Sequence, residues 1–121
     1  MIKVLIADDQ ELIRESLGII LSSFEDIEVV ASASDGEEVL DKLKTSRPDV
    51  ILMDVCMGTG KDGIDVTASL KEQFPQIKVI VVTSMIEESF IKRARLANAD
   101  SFWYKDLSPE DLLTVMDKTV A

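Results

Sequence analysis

The chain has 121 residues, enough for one domain with a buried core. Its 23 acidic and 13 basic side chains leave a net charge of −10, which argues against direct binding of nucleic acid or an anionic membrane. The chain has no histidine and one cysteine, Cys56, which excludes an internal disulfide, a zinc site and a histidine-based catalytic triad and indicates a reducing compartment. Its start lacks a signal peptide pattern and no apolar run approaches transmembrane length, so we expect a cytoplasmic protein with no membrane contact.

Apolar periodicity alternates between strand and helix along the chain. The first half predicts a strand at 2–7, a helix at 11–24, a strand at 28–33, a helix that starts at the turn 34–36, and a strand at 50–54. The second half predicts a glycine-rich mobile loop at 58–63, a helix that ends at Pro75, a strand at 78–83 and a helix at 87–98. In the helix at 87–98, Phe90, Ile91, Ala94 and Ala97 are predicted to face inward. A short aromatic strand at 101–104 and a last helix with its cap at Ser108 follow.

Five strands that alternate with five helices predict an α/β fold with a parallel sheet covered by helices on both faces. The strands are continuously apolar, which is typical of burial on both faces. We assign residues 1–121 to one domain. In such sheets ligands bind beyond the carboxyl ends of the strands, so the chemistry is expected at that edge.

Polar side chains end four of the predicted strands: Asp8 and Asp9, then Asp54, Thr83 and Lys105. Two carboxylates about 4 Å apart repel by roughly 4 kcal/mol at an effective dielectric constant of about 20, and a hard divalent cation removes that cost. Oxygen ligands without histidine favour magnesium. Magnesium beside a carboxylate nucleophile, with a lysine and a hydroxyl for the phosphoryl oxygens, is the chemistry of phosphoryl transfer.

The motifs at these strand ends resemble the receiver domain of bacterial two-component response regulators over essentially the whole chain. The motifs are D-D-Q at 8–10, D-V-C-M at 54–57, V-V-T-S at 81–84 and F-W-Y-K-D at 102–106. Asp106 and the runs D-I-E-V-V and D-G-E-E-V are similar to the LuxR/NarL-type subgroup. The resemblance implies a doubly wound, five-stranded sheet in the flavodoxin-like order 2-1-3-4-5 with five helices.

The resemblance also assigns roles to individual residues, with Mg²⁺ as the cofactor. It implies that Asp54 is the phosphoacceptor, that Asp9, Asp54 and the Cys56 backbone carbonyl bind the metal directly, and that Asp8 binds it through water. Thr83 and Phe102 would form the switch pair, and Lys105 would contact the phosphoryl group. The chain departs from the family pattern at Gly58, where proline is common, in a loop one residue longer than usual, and at Trp103 and Tyr104, where aliphatic residues are common.

The implied function is a phosphorylation-controlled switch that takes a phosphoryl group from a sensor histidine kinase and catalyses only its own modification. A homodimer that depends on phosphorylation is one readout that the family allows. Members of the subgroup usually contact DNA through a carboxyl-terminal helix-turn-helix domain rather than through the receiver. Two alternatives stay open at this point: a receiver-like interaction module that takes no phosphate, and a flavin- or nucleotide-binding module with the same sheet topology.

Overall fold

The computed structural model describes residues 1–57, 62–83, 88–104 and 109–120, in which strands and helices alternate. The strands are β1 (Ile2–Ala7), β2 (Ile27–Ala33), β3 (Val50–Asp54), β4 (Lys78–Thr83) and β5 (Ser101–Tyr104). The helices are α1 (Glu11–Ser22), α2 (Gly36–Leu43), α3 (Gly63–Gln73), α4 (Glu88–Leu96) and α5 (Pro109–Val120). The predicted alternation is confirmed.

All five strands are parallel and lie in the order β2-β1-β3-β4-β5, which confirms the predicted fold class. The chain moves outward from β1 in both directions, first to β2 and then through β3 to β5. The strand order therefore reverses between β1 and β3, and the carboxyl ends of these two strands frame the crevice where such folds bind ligands.

Apolar side chains cover both faces of the sheet, as the unbroken apolar strands predicted. One face packs against α2, α3 and α4 through a cluster that includes Leu5, Ile51, Met53, Val39, Leu70 and Ala94. The other packs against α1 and α5 through a cluster that includes Ile6, Leu52, Val82, Trp103, Leu21 and Met116. Alternate residues of each strand serve opposite faces, so the face that any strand-end residue points to follows from its position.

Two helices end earlier than periodicity predicted, because their last turns are closed by backbone geometry. Helix α1 ends at Ser22 rather than residue 24, since the N–H of Phe24 donates to the Leu21 carbonyl and tightens the turn. Helix α4 ends at Leu96 rather than residue 98. There Asn98 adopts a positive φ of 65°, and the N–H of Ala99 donates to the Ala94 carbonyl at 3.0 Å, a Schellman closure.

The prediction that Ile91 faces inward is wrong. Phe90, Ala94 and Ala97 contact the core at the i, i+4 and i+7 spacing of one helix stripe. Ile91 is half-buried and lines a surface groove with the exposed Lys92, Arg95 and Leu96. Helix α4 joins β4 to the edge strand β5, and it contributes this one stripe to the core.

Candidate metal and phosphoryl-transfer site

Three carboxylates meet at the carboxyl ends of β1 and β3. One oxygen from each of Asp8, Asp9 and Asp54 lies within 4.8 Å of the other two. The register explains the convergence, because Ala7 pairs with Met53 and the next residues of both strands therefore emerge side by side. Asp8 and Asp54 are buried, with 1% and 5% of their surface exposed, whereas Asp9 is exposed.

Asp8 is held by hydrogen bonds from three directions. Its N–H donates to the Ala33 carbonyl at 3.0 Å, and its carboxylate Oδ1 accepts from the Gln10 N–H at 2.9 Å. The Arg14 guanidinium Nη1 donates to the Asp8 backbone carbonyl at 2.7 Å. Sequence reasoning did not predict this contact. The one available signal was an arginine in the second turn of a helix that follows two aspartates.

The end of β3 is fixed by the start of α3. The Val55 N–H donates to the Val82 carbonyl at 3.0 Å, and the Gly63 N–H donates to the Val55 carbonyl at 2.8 Å. A Cβ on Gly63 would lie 1.8 Å from the Asp54 carbonyl oxygen, so the helix approaches the strand more closely than any residue with a side chain allows. Gly63 was predicted in a mobile loop; it is instead buried and begins α3.

Asp62 caps α3 and also connects it to α4. Its Oδ1 accepts the N–H groups of Ile64 and Asp65 at 3.0 Å, the usual N-cap arrangement. Its Oδ2 accepts from Arg93 Nη2 at 2.8 Å, and Asp65 lies 3.4 Å from the same nitrogen. The side-chain hydrogen bond to Asp62 raises the pKa of Arg93 against the opposing effect of its partial burial. This contact, between residues 31 positions apart, was not predicted.

Thr83 ends β4 next to the acidic cluster. It is buried, with 3% of its surface exposed, and it lies one residue beyond Val82, the partner of Asp54 in the sheet. Phe102 pairs with Val81 and packs on the α4 side of the sheet, the side to which alternation also directs Thr83. The Phe102 and Tyr104 rings lie edge to face, with centroids 5.3 Å apart.

Of the remaining predicted site residues, Cys56 lies within the residues that the structure describes and the others lie outside them. Cys56 is exposed and lies two residues beyond the end of β3. Lys105 and Ser108 lie outside the described residues, as do Gly58 and the rest of the predicted loop up to residue 61. Their predicted roles are therefore based on sequence alone.

The donors of the acidic cluster fit magnesium. They are hard carboxylate oxygens, two of them are buried, and their spacing brings them within reach of one ion. The same charges disfavour a flavin or nucleotide phosphate bound without a cation, because an anion at this edge would be repelled.

Within the described ranges, no helix is long and apolar enough to cross a membrane.

Comparisons with known proteins agree with this architecture. The family model for the response regulator receiver domain matches residues 4–117. The response regulator protein VraR of Staphylococcus aureus is 41% identical over 118 residues, which cover 98% of this chain and 56% of VraR, so the chain spans about half the length of that relative.

Two solved structures are similar over almost the whole chain. A DNA-binding response regulator of the LuxR family from Staphylococcus aureus superposes with a TM-score of 0.92 at 25% identity and covers 100% of both chains. The signal receiver domain of NarL from Mycobacterium tuberculosis superposes with a TM-score of 0.88 at 29% identity, over 98% of this chain and 95% of that one. With the family model matched from the first strand to the last helix, the chain belongs to the response regulator receiver domain family and is a signalling protein of two-component systems.

Proposed function

We propose that Asp54 accepts a phosphoryl group and that this modification switches the domain between two states. The convergence of Asp8, Asp9 and Asp54 within 4.8 Å at the strand-order reversal is the observation that carries the proposal. Of the three, Asp54 ends the central strand of the sheet and is buried, and Gly63 at the start of α3 packs against its backbone carbonyl. A nucleophile in this position has a fixed carboxylate, which lowers the entropic cost of reaching an in-line geometry.

Asp9, Asp54 and the Cys56 backbone carbonyl are proposed to hold Mg²⁺ directly, and Asp8 to hold it through water. When bound, the ion neutralises charge on the phosphoryl oxygens and on the carboxylates. The Cys56 side chain is not required for this role, because a backbone carbonyl supplies the hard oxygen. Asp8 suits an indirect role, since its Oδ1 already accepts the Gln10 N–H.

Thr83, Lys105 and Phe102 are proposed to complete the switch. Lys105 supplies a positive charge and Thr83 a hydroxyl donor to the phosphoryl oxygens. A Thr83 side chain drawn toward those oxygens vacates space on the α4 side of the sheet, where Phe102 is half-buried and can rotate. The surface formed by α4, β5 and α5 would then differ between the two states. A few kcal/mol of differential binding is enough for such a shift.

The proposed phosphodonor is a sensor histidine kinase, and we propose a cytoplasmic location for the domain. The reaction modifies the domain itself, so its catalysis is limited to its own phosphorylation and dephosphorylation. Altered self-association is one proposed readout. Control of transcription is the other, because a structural relative is a DNA-binding regulator of the LuxR family. DNA contact is assigned to another domain, since the net charge of −10 disfavours it here.

Incubation with acetyl phosphate, followed by intact-mass analysis, tests the proposal. We expect the wild-type protein to gain one phosphoryl group in MgCl2 and none in chelator. Asp54→Asn should abolish the addition, because the amide is a poor nucleophile and carries no charge for the cation. Asp26→Asn, which removes an equal charge from an exposed position between α1 and β2, serves as the matched control and should be labelled like the wild type.

Labelling that is equal in chelator, or that survives Asp54→Asn, would contradict the proposal. Wild-type protein that binds Mg²⁺ but never gains a phosphoryl group would instead favour an interaction module that takes no phosphate.

A further inference from the structure

We infer that Arg14 is a positioning residue for the magnesium ligands: its hydrogen bond to the Asp8 carbonyl fixes the peptide that joins Asp8 to Asp9 and so sets where the Asp9 carboxylate points. This inference rests on the proposed metal site and adds to it a residue outside the acidic cluster. It concerns metal affinity, not the chemistry of the acceptor.

The Arg14 side chain binds the backbone rather than an acidic side chain. Its Nη1 donates to the Asp8 carbonyl at 2.7 Å, a short, charge-assisted hydrogen bond. Its own N–H donates to the Gln10 carbonyl at 3.1 Å, so the residue belongs to the first regular turns of α1. The Arg14 side chain is half-buried, and its guanidinium contacts the turn between β1 and α1. Because the hydrogen bond is to a backbone carbonyl, it constrains the backbone of that turn.

A constraint on the peptide between Asp8 and Asp9 acts most directly on Asp9, whose backbone nitrogen belongs to it. Asp8 and Asp54 are fixed by burial, but Asp9 is exposed, so packing contributes little to its orientation. The Asp8 carbonyl and the Asp9 nitrogen belong to one planar peptide, and a hydrogen bond to that carbonyl limits the rotation that would swing the Asp9 side chain away. The Gln10 N–H bond to Asp8 Oδ1 holds the other side of the same turn.

The charge of Arg14 acts in the opposite direction to its hydrogen bond. A guanidinium at the Asp8 carbonyl repels a divalent cation at the neighbouring carboxylates, whereas the fixed peptide favours that cation by preorganising its ligands. Salt separates the two effects. At about 0.1 M ionic strength charges interact over about 10 Å, and at about 1 M over only about 3 Å.

The experiment is a titration of the isotope-labelled, unphosphorylated protein with MgCl2, followed by two-dimensional amide NMR at both ionic strengths. We expect Arg14→Met to weaken Mg²⁺ binding by about tenfold at about 1 M, the size seen when a group that orients a metal ligand is removed. At about 0.1 M the loss should be smaller, because the variant also removes a repelling charge. At about 1 M, Arg14→Lys, which keeps the charge and one donor, should lie between Arg14→Met and the wild type.

Arg47→Met is the matched control. Arg47 is exposed and precedes β3, at the opposite edge of the sheet, so its loss should leave Mg²⁺ affinity at about 1 M unchanged. Spectra without metal provide a second readout: in Arg14→Met the Asp9 and Gln10 amide signals should shift while those of β4 and β5 stay in place.

Arg14→Met that binds Mg²⁺ as tightly as the wild type at about 1 M would overturn the inference and leave the proposed function intact. Tighter binding at about 0.1 M combined with equal binding at about 1 M would show that Arg14 acts through charge alone, which also overturns it. Wild-type protein that shows no Mg²⁺-dependent shifts would overturn both the inference and the proposed metal site.

Discussion

Replacement of Gly63 by alanine tests how closely the phosphoacceptor strand depends on α3. The new Cβ would lie 1.8 Å from the Asp54 carbonyl oxygen, whereas real Cβ contacts do not fall below 3.0 Å, so the backbone must open by about 1.2 Å, the difference between these distances. Relief by side-chain rotation is unavailable, because the contacted atom is backbone. The cost of overpacking is commonly 1–3 kcal/mol, and we expect about 3 kcal/mol here.

Gly18→Ala provides a control of opposite sign. Gly18 lies inside α1, and a Cβ there meets nothing within 4 Å. Alanine in a helix interior is favoured over glycine by roughly 0.5–1 kcal/mol, so this variant should be more stable than the wild type. Gly36→Ala should fall between the two, since its Cβ would lie 2.6 Å from a Val66 methyl group that can move with its side chain.

Urea denaturation followed by the fluorescence of Trp103, the only tryptophan, measures all three variants. The expected order of unfolding free energy is Gly18→Ala, wild type, Gly36→Ala, Gly63→Ala. A Gly63→Ala variant within about 0.5 kcal/mol of the wild type would refute the reasoning, because surface substitutions without a structural role fall in that range. The variant should also accept phosphate more slowly from acetyl phosphate, since the displaced oxygen belongs to Asp54 itself.

Two further predictions concern α4 and the switch. Arg93→Met should lower the free energy of unfolding by about 0.5–1 kcal/mol, because it removes a partly exposed ion pair with Asp62, the α3 cap. Arg95→Met, at an exposed neighbouring position, should change that free energy little, and equal urea midpoints for the two variants would show that the ion pair contributes nothing to stability. Thr83→Ala should still gain a phosphoryl group but lose the accompanying change in self-association, measured by sedimentation with and without phosphodonor. An unchanged response would exclude the route through Phe102.

The sequence by itself determined the elements of the fold and the members of the acidic cluster. Continuous apolar runs and helical stripes indicate which faces of each element are buried. This pattern is visible in the local sequence of each element, without knowledge of its tertiary contacts. Parallel strands end at a common edge, so acids that end separate strands were expected to meet there. Asp8, Asp9 and Asp54 do meet, and Thr83 ends the adjacent strand.

Only the tertiary structure decided which residues support that cluster. Glycine at 63 predicted backbone freedom, yet its role is steric, because α3 approaches β3 too closely for a side chain. The contact of Arg93 with Asp62 and that of Arg14 with the Asp8 carbonyl depend on how helices pack on the sheet. Periodicity encodes which face of an element is buried, but not which atoms of two packed elements come within hydrogen-bonding distance, and that is set by the three-dimensional packing of the whole domain.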